Sequence, residues 1–202
     1  MRTTVRLAFL FLTLTLLACD DQTASDTEGV PSSVSACAAL VKEDFSLLGD
    51  AQPSDLIASF EKAKDNFPAY CQIQGTIAPA VKFELRLPAE TWNGRFLMQG
   101  CGGLCGAIEM FRTDDALIRG YAVAHTDMGH EGSQVGGATW AYNNRQTEID
   151  YAHRATHVTT VAAKALIDSY YTNKTYTSYI RGCSTGGRQA MVAAQMYPDD
   201  FD

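Results

Sequence analysis

The stretch that decides the fold is Tyr179-Ile180-Arg181-Gly182-Cys183-Ser184-Thr185-Gly186-Gly187-Arg188. Upstream, Thr175-Tyr176-Thr177-Ser178-Tyr179-Ile180 is rich in β-branched and aromatic residues and predicts a short buried strand. Downstream, Gln189–Met196 predicts a helix that Pro198 helps to stop. A strand, Gly-x-Ser-x-Gly and a helix place the serine on a sharp, strained turn with its hydroxyl exposed. Gly182 and Gly186 remove side chains that would collide in such a turn. The amide of Thr185, at the start of the helix, faces the place where an oxyanion would develop, with the helix dipole behind it.

The wider run Gly-Cys-Ser-Thr-Gly-Gly-Arg-Gln, followed by Tyr197-Pro198-Asp199-Asp200-Phe201-Asp202, closely resembles the tannase and feruloyl esterase family. That family also includes hydrolases of mono(2-hydroxyethyl) terephthalate. The resemblance implies that Cys183 pairs with a cysteine beside the catalytic histidine.

Outward from the elbow, the chain has 202 residues, 46% hydrophobic and 19% charged, which suits one globular domain with at most an appendage. A net charge of −7 with no basic patch argues against a nucleic-acid partner or an anionic-membrane surface. Met1–Arg6 carries two arginines, and Leu7–Leu17 is an uncharged apolar run of eleven residues. This length suits a signal peptide and is too short for a spanning helix. Leu16-Leu17-Ala18-Cys19 resembles the bacterial lipobox, which implies cleavage after residue 18 and two acyl chains on Cys19. Residues 19–35 are polar, acidic and rich in Ser and Thr, and are expected to tether a catalytic domain over 36–202 to the membrane. The expected location is the periplasmic side of a bacterial membrane.

Export favours disulfides. Cys37 opens an expected helix over Ala38–Phe45, and Cys71 opens an alternating strand, Cys71–Ile77. The resemblance implies a structural Cys37–Cys71 bridge. Cys101 and Cys105, spaced C-x3-C, allow either a local disulfide or half of a metal site.

Val81–Leu87 alternates apolar and polar residues, as a half-buried strand does. Trp92-Asn93-Gly94-Arg95-Phe96 supplies an Asn-Gly turn that suits a tight hairpin, and Phe96–Gln99 is the next strand. It runs into Gly100-Cys101-Gly102-Gly103-Leu104-Cys105-Gly106. A glycine-rich loop here can supply the second oxyanion amide, expected from Gly102 before Gly103. It lacks the Lys-Ser/Thr ending of a phosphate-binding loop.

Ala116–Gly120 reads as a helix end, Tyr121–His125 as a central strand, and Thr126-Asp127-Met128-Gly129-His130 as a loop held by its own hydrogen bonds. Trp140 and Tyr142, in the loop over Gly132–Asn144, either line a pocket or cover the sheet edge. Asp150–Tyr171 has helical spacing throughout. His153 and His157 stand four apart like zincin ligands, but Arg154 occupies the place of the glutamate that such chemistry needs, so both are read as packing residues.

Alternating strands and helices predict a largely parallel sheet with helices on both faces. The resemblance, from Cys37 to Asp202, implies an α/β-hydrolase fold, incomplete here, with the lid domain and C-terminal strands absent. It implies hydrolysis of esters of aromatic acids, with Ser184 as nucleophile and the Thr185 and Gly102 amides as the oxyanion hole. No cofactor is expected in this chain; calcium belongs to the lid in the family. Along the chain a hydrolase triad runs Ser, then Asp or Glu, then His. All four histidines precede Ser184, and the eighteen residues after it hold no His or Cys. The expectation is therefore a fragment that is inactive alone. The alternatives are a non-catalytic binding lipoprotein on the same fold and another esterase or peptidase of this architecture.

Overall fold

The computed structural model describes residues 33–172 and 174–202. The expected signal peptide, Cys19 and most of the tether lie outside them. Helix α1, Ser33–Ala39, starts three residues before the expected tether boundary and passes into a 3-10 turn at Leu40–Lys42. The helix expected over Ala38–Phe45 is thus shifted towards the N-terminus, and Cys37 lies inside it, bonded to Cys71.

Six strands form one sheet: β1 (Pro53–Glu61), β2 (Tyr70–Ile77), β3 (Val81–Pro88), β4 (Arg95–Gln99), β5 (Ala122–Thr126) and β6 (Thr177–Arg181), in the order β1-β2-β3-β5-β4-β6. Pairs β1–β2, β2–β3 and β3–β5 are antiparallel, whereas β5–β4 and β4–β6 are parallel. The sheet is therefore mixed, where a largely parallel one was expected. β1 itself escaped the sequence reading because it is a half-exposed edge strand, with a register shift between Ser54 and Ile57 and Asp55 at φ 51°.

The Asn93-Gly94 turn makes no hairpin, because β5 lies between β3 and β4. Gly94 does take a positive φ, of 72°. The turn acts as a corner: Asn93 N–H donates to Gly120 O (2.9 Å), and Gly94 O accepts from Thr177 N–H (3.1 Å).

Side-chain alternation divides the core between the two faces of the sheet. Phe83, Leu85, Leu87, Phe96, Met98, Ala122 and Ala124 join a cluster with α4 (Ala155–Tyr170). Leu97 and Val123 point the other way, into a smaller cluster with Ala116 and Leu117 of α2 (Asp114–Ile118). Each fully buried side chain of this size contributes about 1.5–3 kcal/mol.

The long helix begins earlier than expected, at α3 (Arg145–Ile149), where the Asn144 carboxamide accepts from Thr147 N–H at 3.3 Å. It continues through a π-helical turn, Asp150–Arg154, into α4. Buried Asp150 accepts from Arg154 (2.8 Å) and Gln146 (3.0 Å) inside that turn. Helix α5, Thr185–Met196, follows β6 directly.

Candidate active site

Between β6 and α5 the backbone makes the turn that the motif requires. Ser184 sits at φ 55°, ψ −118° and is exposed. A non-glycine residue in such a conformation costs on the order of 1–3 kcal/mol and persists only where its surroundings over-determine it. A Cβ on Gly182 would stand 2.4 Å from the Gly186 carbonyl carbon, and one on Gly186 would stand 3.1 Å from Cys101 O. Only a hydrogen fits at Gly182, and a Cβ at Gly186 would press on the neighbouring loop. Arg181 anchors the strand end: Nε donates to Gln99 Oε1 (2.9 Å), its two terminal nitrogens fork onto Asp115 (2.8 and 2.9 Å), and one of them also reaches Arg112 O (2.8 Å). That fork holds the Asp115 carboxyl below its usual range.

The glycine-rich loop after β4 lies against this elbow. Gly100 N–H donates to Arg181 O (2.7 Å) and Cys101 N–H to Gln189 Oε1 (3.2 Å). Leu104 N–H donates to Gln134 O (2.9 Å), Cys105 N–H to Gly102 O (2.9 Å) and Gly106 N–H to Asp127 O (3.2 Å). The amides of Gly102 and Gly103 alone in this loop donate to nothing among the described residues, and the same holds for Thr185. Three unspent N–H groups therefore lie on the elbow and on the loop packed against it. Cys101 and Cys105 are bonded to each other, which decides between the disulfide and the metal half-site in favour of the disulfide. Gln189 Nε2 donates to Cys101 Sγ at 2.9 Å, so α5 also grips the bridge.

Behind the loop stands the Thr126–His130 segment, held by its own hydrogen bonds as the sequence reading had it. Asp127 Oδ1 accepts from Lys82 N–H (3.0 Å) and Gly129 N–H (2.8 Å). Burial pushes this carboxyl up to about 6, against those two amides. His130 Nε2 is 2.8 Å from Leu104 O, and its ring stacks on Trp140. Trp140 also meets Tyr151 at 5.1 Å between ring centroids, whereas Tyr142 is 81% exposed and lines nothing described. His125 is fully buried with neither ring nitrogen hydrogen-bonded, and burial lowers it to about 4.

The two histidines of the long helix hold the C-terminal segment. His153 Nδ1 meets the Tyr197 hydroxyl at 2.7 Å; His157 Nδ1 meets Asp200 at 2.9 Å and its ring stacks on Tyr197. None of the four histidines is hydrogen-bonded to Ser184, whose hydroxyl makes no hydrogen bond to any described residue. Cys183 is an exposed free thiol. Among the described residues no group of three His, Cys, Asp or Glu side chains is placed to hold a metal ion.

The sequence reading passed over Tyr151, Gln189, Arg188 and Arg181. Arg188 donates to the carbonyls of Tyr151 (2.9 Å) and Ala152 and lies 4.8 Å over the Tyr151 ring. The π turn frees those carbonyls for a donor on α5. Arg181, Arg188 and Gln189 lie in or beside the elbow motif, whereas nothing in the sequence marks Tyr151.

Strand, elbow and helix, with an exposed serine on the turn, define a fold of the α/β-hydrolase kind. The chain belongs to the tannase and feruloyl esterase family, whose model matches residues 66–202, and so to a family of carboxylic ester hydrolases. It is 34% identical over 180 residues to an uncharacterized esterase of Xanthomonas campestris, which covers 85% of this chain and 31% of that protein. It is 36% identical over 137 residues to a probable feruloyl esterase B-1 of Aspergillus oryzae, covering 66% of this chain and 25% of that one. The crystal structure of feruloyl esterase B from Aspergillus oryzae superposes with a TM-score of 0.73 at 28% identity, over 85% of this chain and 37% of that one. Tannin acyl hydrolase from Aspergillus niger shares the fold, with a TM-score of 0.65 at 21% identity. The chain thus spans between a quarter and about two fifths of the length of these relatives.

Proposed function

We propose that Ser184 is the nucleophile of an esterase for aromatic-acid esters, and that the amides of Thr185 and Gly102, with Gly103 beside them, hold the tetrahedral oxyanion. The observation that carries this reading is a strained, exposed serine with three unspent amides on its elbow and on the loop packed against it. The name feruloyl esterase, which relatives of 36% identity carry, supports this substrate class.

The serine hydroxyl attacks the ester carbonyl carbon, the alcohol leaves with a proton, and water then releases the acid and restores the hydroxyl. A serine hydroxyl needs a base to take its proton, and no described histidine is placed to do so. Methyl ferulate and methyl gallate should therefore turn over near background with the 202-residue chain. An oxyanion hole alone still leaves about 10³–10⁴ over water. The activated ester p-nitrophenyl ferulate should accordingly acylate Ser184 in a single turnover, seen by mass spectrometry as one feruloyl group on that residue. Ser184→Ala should remove the label. A label that persists in Ser184→Ala, or full turnover of methyl ferulate that is lost on changing His125 or His130, would overturn the assignment.

The same reading includes residues 1–18 as a signal peptide, Cys19 as the site of a lipid anchor, 19–35 as a tether and 36–202 as the catalytic portion. Expressed in a bacterium, the chain should sediment with membranes, and Cys19→Ser should release it or block its processing. An unacylated mature N-terminus elsewhere would remove the anchor from the proposal.

A further inference from the structure

The peptide between Gly103 and Leu104 is fixed from three sides. Its carbonyl accepts one hydrogen bond from Thr185 Oγ1 (2.8 Å) and another from the Tyr151 hydroxyl (3.0 Å). Its N–H donates to Gln134 O (2.9 Å). A carbonyl oxygen has two lone pairs, and both are used here, by side chains from two different elements. The loop needs such fixing. Gly102 and Gly103 are adjacent, Gly103 sits at φ 51°, and glycine backbone is otherwise free to turn. A Cβ on Gly103 would stand 2.2 Å from Gln134 O, so a stiffer residue cannot take its place.

Neither hydroxyl has competing work. Thr185 is the first residue of α5, whose N-cap, Ser184, makes no side-chain cap, and Thr185 Oγ1 bonds across to the loop instead. Tyr151 stands on the π turn, with Arg188 over one face of its ring and Trp140 beside it, so its hydroxyl is held in place.

We propose that Thr185 and Tyr151 are positioning residues: by gripping the Gly103 carbonyl they set the direction of the Gly102 and Gly103 amides. Thr185 thereby couples the two halves of the hole, since its own amide lies on one side and its hydroxyl fixes the other. This rests on the reading of those amides as oxyanion donors. It adds two side-chain hydroxyls that touch no substrate and act only through the backbone.

The test uses the 202-residue chain with Thr185→Val, Thr185→Ser and Tyr151→Phe. Thr185→Val and Tyr151→Phe keep the shape and delete the hydroxyl, whereas Thr185→Ser keeps the hydroxyl and gives up a methyl group. Misplacing a reacting or stabilising group by about 1 Å can cost on the order of 100-fold. Ser184 acylation by p-nitrophenyl ferulate should therefore slow by about 10- to 100-fold in those two variants. The half-saturating ester concentration should not change, and Thr185→Ser, which retains the hydroxyl, should acylate faster than Thr185→Val. In chain labelled at glycine, the Gly102 and Gly103 amide signals should shift and exchange faster with solvent in the same two variants and stay in place in Thr185→Ser. A purely structural role would lower the melting temperature without moving the maximal acylation rate or those two signals, and would overturn the proposal. Should Ser184→Ala acylate as fast as the parent, the nucleophile reading fails by itself. The glycine signals then decide the lock: unmoved signals overturn it, and shifted ones support it.

Discussion

Strands β2 and β3 are eight residues long and bury Ile73, Ile77, Phe83, Leu85 and Leu87 on one face. Strands β4, β5 and β6 are five residues each, and they bury Gln99, His125 and Ser178 among their apolar neighbours. The first group pairs antiparallel and the last two pairings are parallel. One face of the first half thus resembles an ordinary apolar core, and its one buried carboxylate, Glu84 on the other face, accepts from Gln74 and Arg86 (both 2.8 Å); the second half carries polar groups that must each find a partner or remain a cost. Ser178 finds its partner in Asp202 (2.9 Å), and Gln99 in Arg181 and Gly100 O, while His125 finds none. The nucleophile elbow grows out of the second half. Burying polar groups there costs stability, and the antiparallel half, stapled by Cys37–Cys71, offsets it.

That division can be broken at the staple. Cys37–Cys71 closes a loop with a sequence separation of 34, for which chain entropy predicts about 4 kcal/mol. Cys37→Ser with Cys71→Ser should lower unfolding stability by about that much in urea titration, while folded protein still acylates at Ser184. The Cys101–Cys105 bridge, with a separation of four, should contribute only about half as much by the same relation. Its removal should nonetheless slow acylation, since it ties down the glycine-rich loop proposed to hold the oxyanion. If both losses were equal in stability and in rate, the two halves would not be the separate structures described above.

A smaller effect sharpens the comparison at the end of β5. His125, lowered to about 4, binds fewer protons folded than unfolded between about pH 4 and 6.5, so its contribution makes stability rise with pH. Asp127, raised to about 6, binds more protons folded than unfolded between about pH 4 and 6, so its contribution makes stability fall over that window. Each is on the order of 3 kcal/mol, and in the parent the two offset each other. Relative to the parent, Asp127→Asn should therefore gain stability as pH rises from 4 to 6, and His125→Leu should lose it, read from urea midpoints at each pH. Two variant curves parallel to the parent curve would show that neither group carries the buried cost assigned to it.

Much of this was legible one segment at a time. β2 and β3 announce themselves by alternation, β6 and α5 by the elbow motif, and β5 as a short apolar run buried on both faces. β1 did not, because an edge strand with a bulge and a half-exposed face has no clean period. The Asn93-Gly94 turn was read correctly as a positive-φ site and wrongly as a hairpin: a turn reports local backbone, while strand order depends on which edges remain free to pair. The π turn at Asp150–Arg154 left no trace either, since inserting one residue hardly alters the apolar spacing of a long helix.

The sequence alone determined the elbow. Gly182, Ser184 and Gly186 lie within five residues, and the steric demand on Gly182 comes from the Gly186 backbone four residues on, whereas Gly186 itself meets the backbone of Gly100 and Cys101 across the fold. Only the tertiary structure decided which amides stay unspent, because each bond that consumes an N–H of residues 100–106 comes from a distant carbonyl or side chain, apart from the Cys105–Gly102 turn. The same is true of the Gly103 carbonyl, gripped by Tyr151 from 48 residues away and by Thr185 from 82. Local sterics can be read from adjacent letters, whereas a count of satisfied hydrogen bonds exists only once the chain has closed on itself.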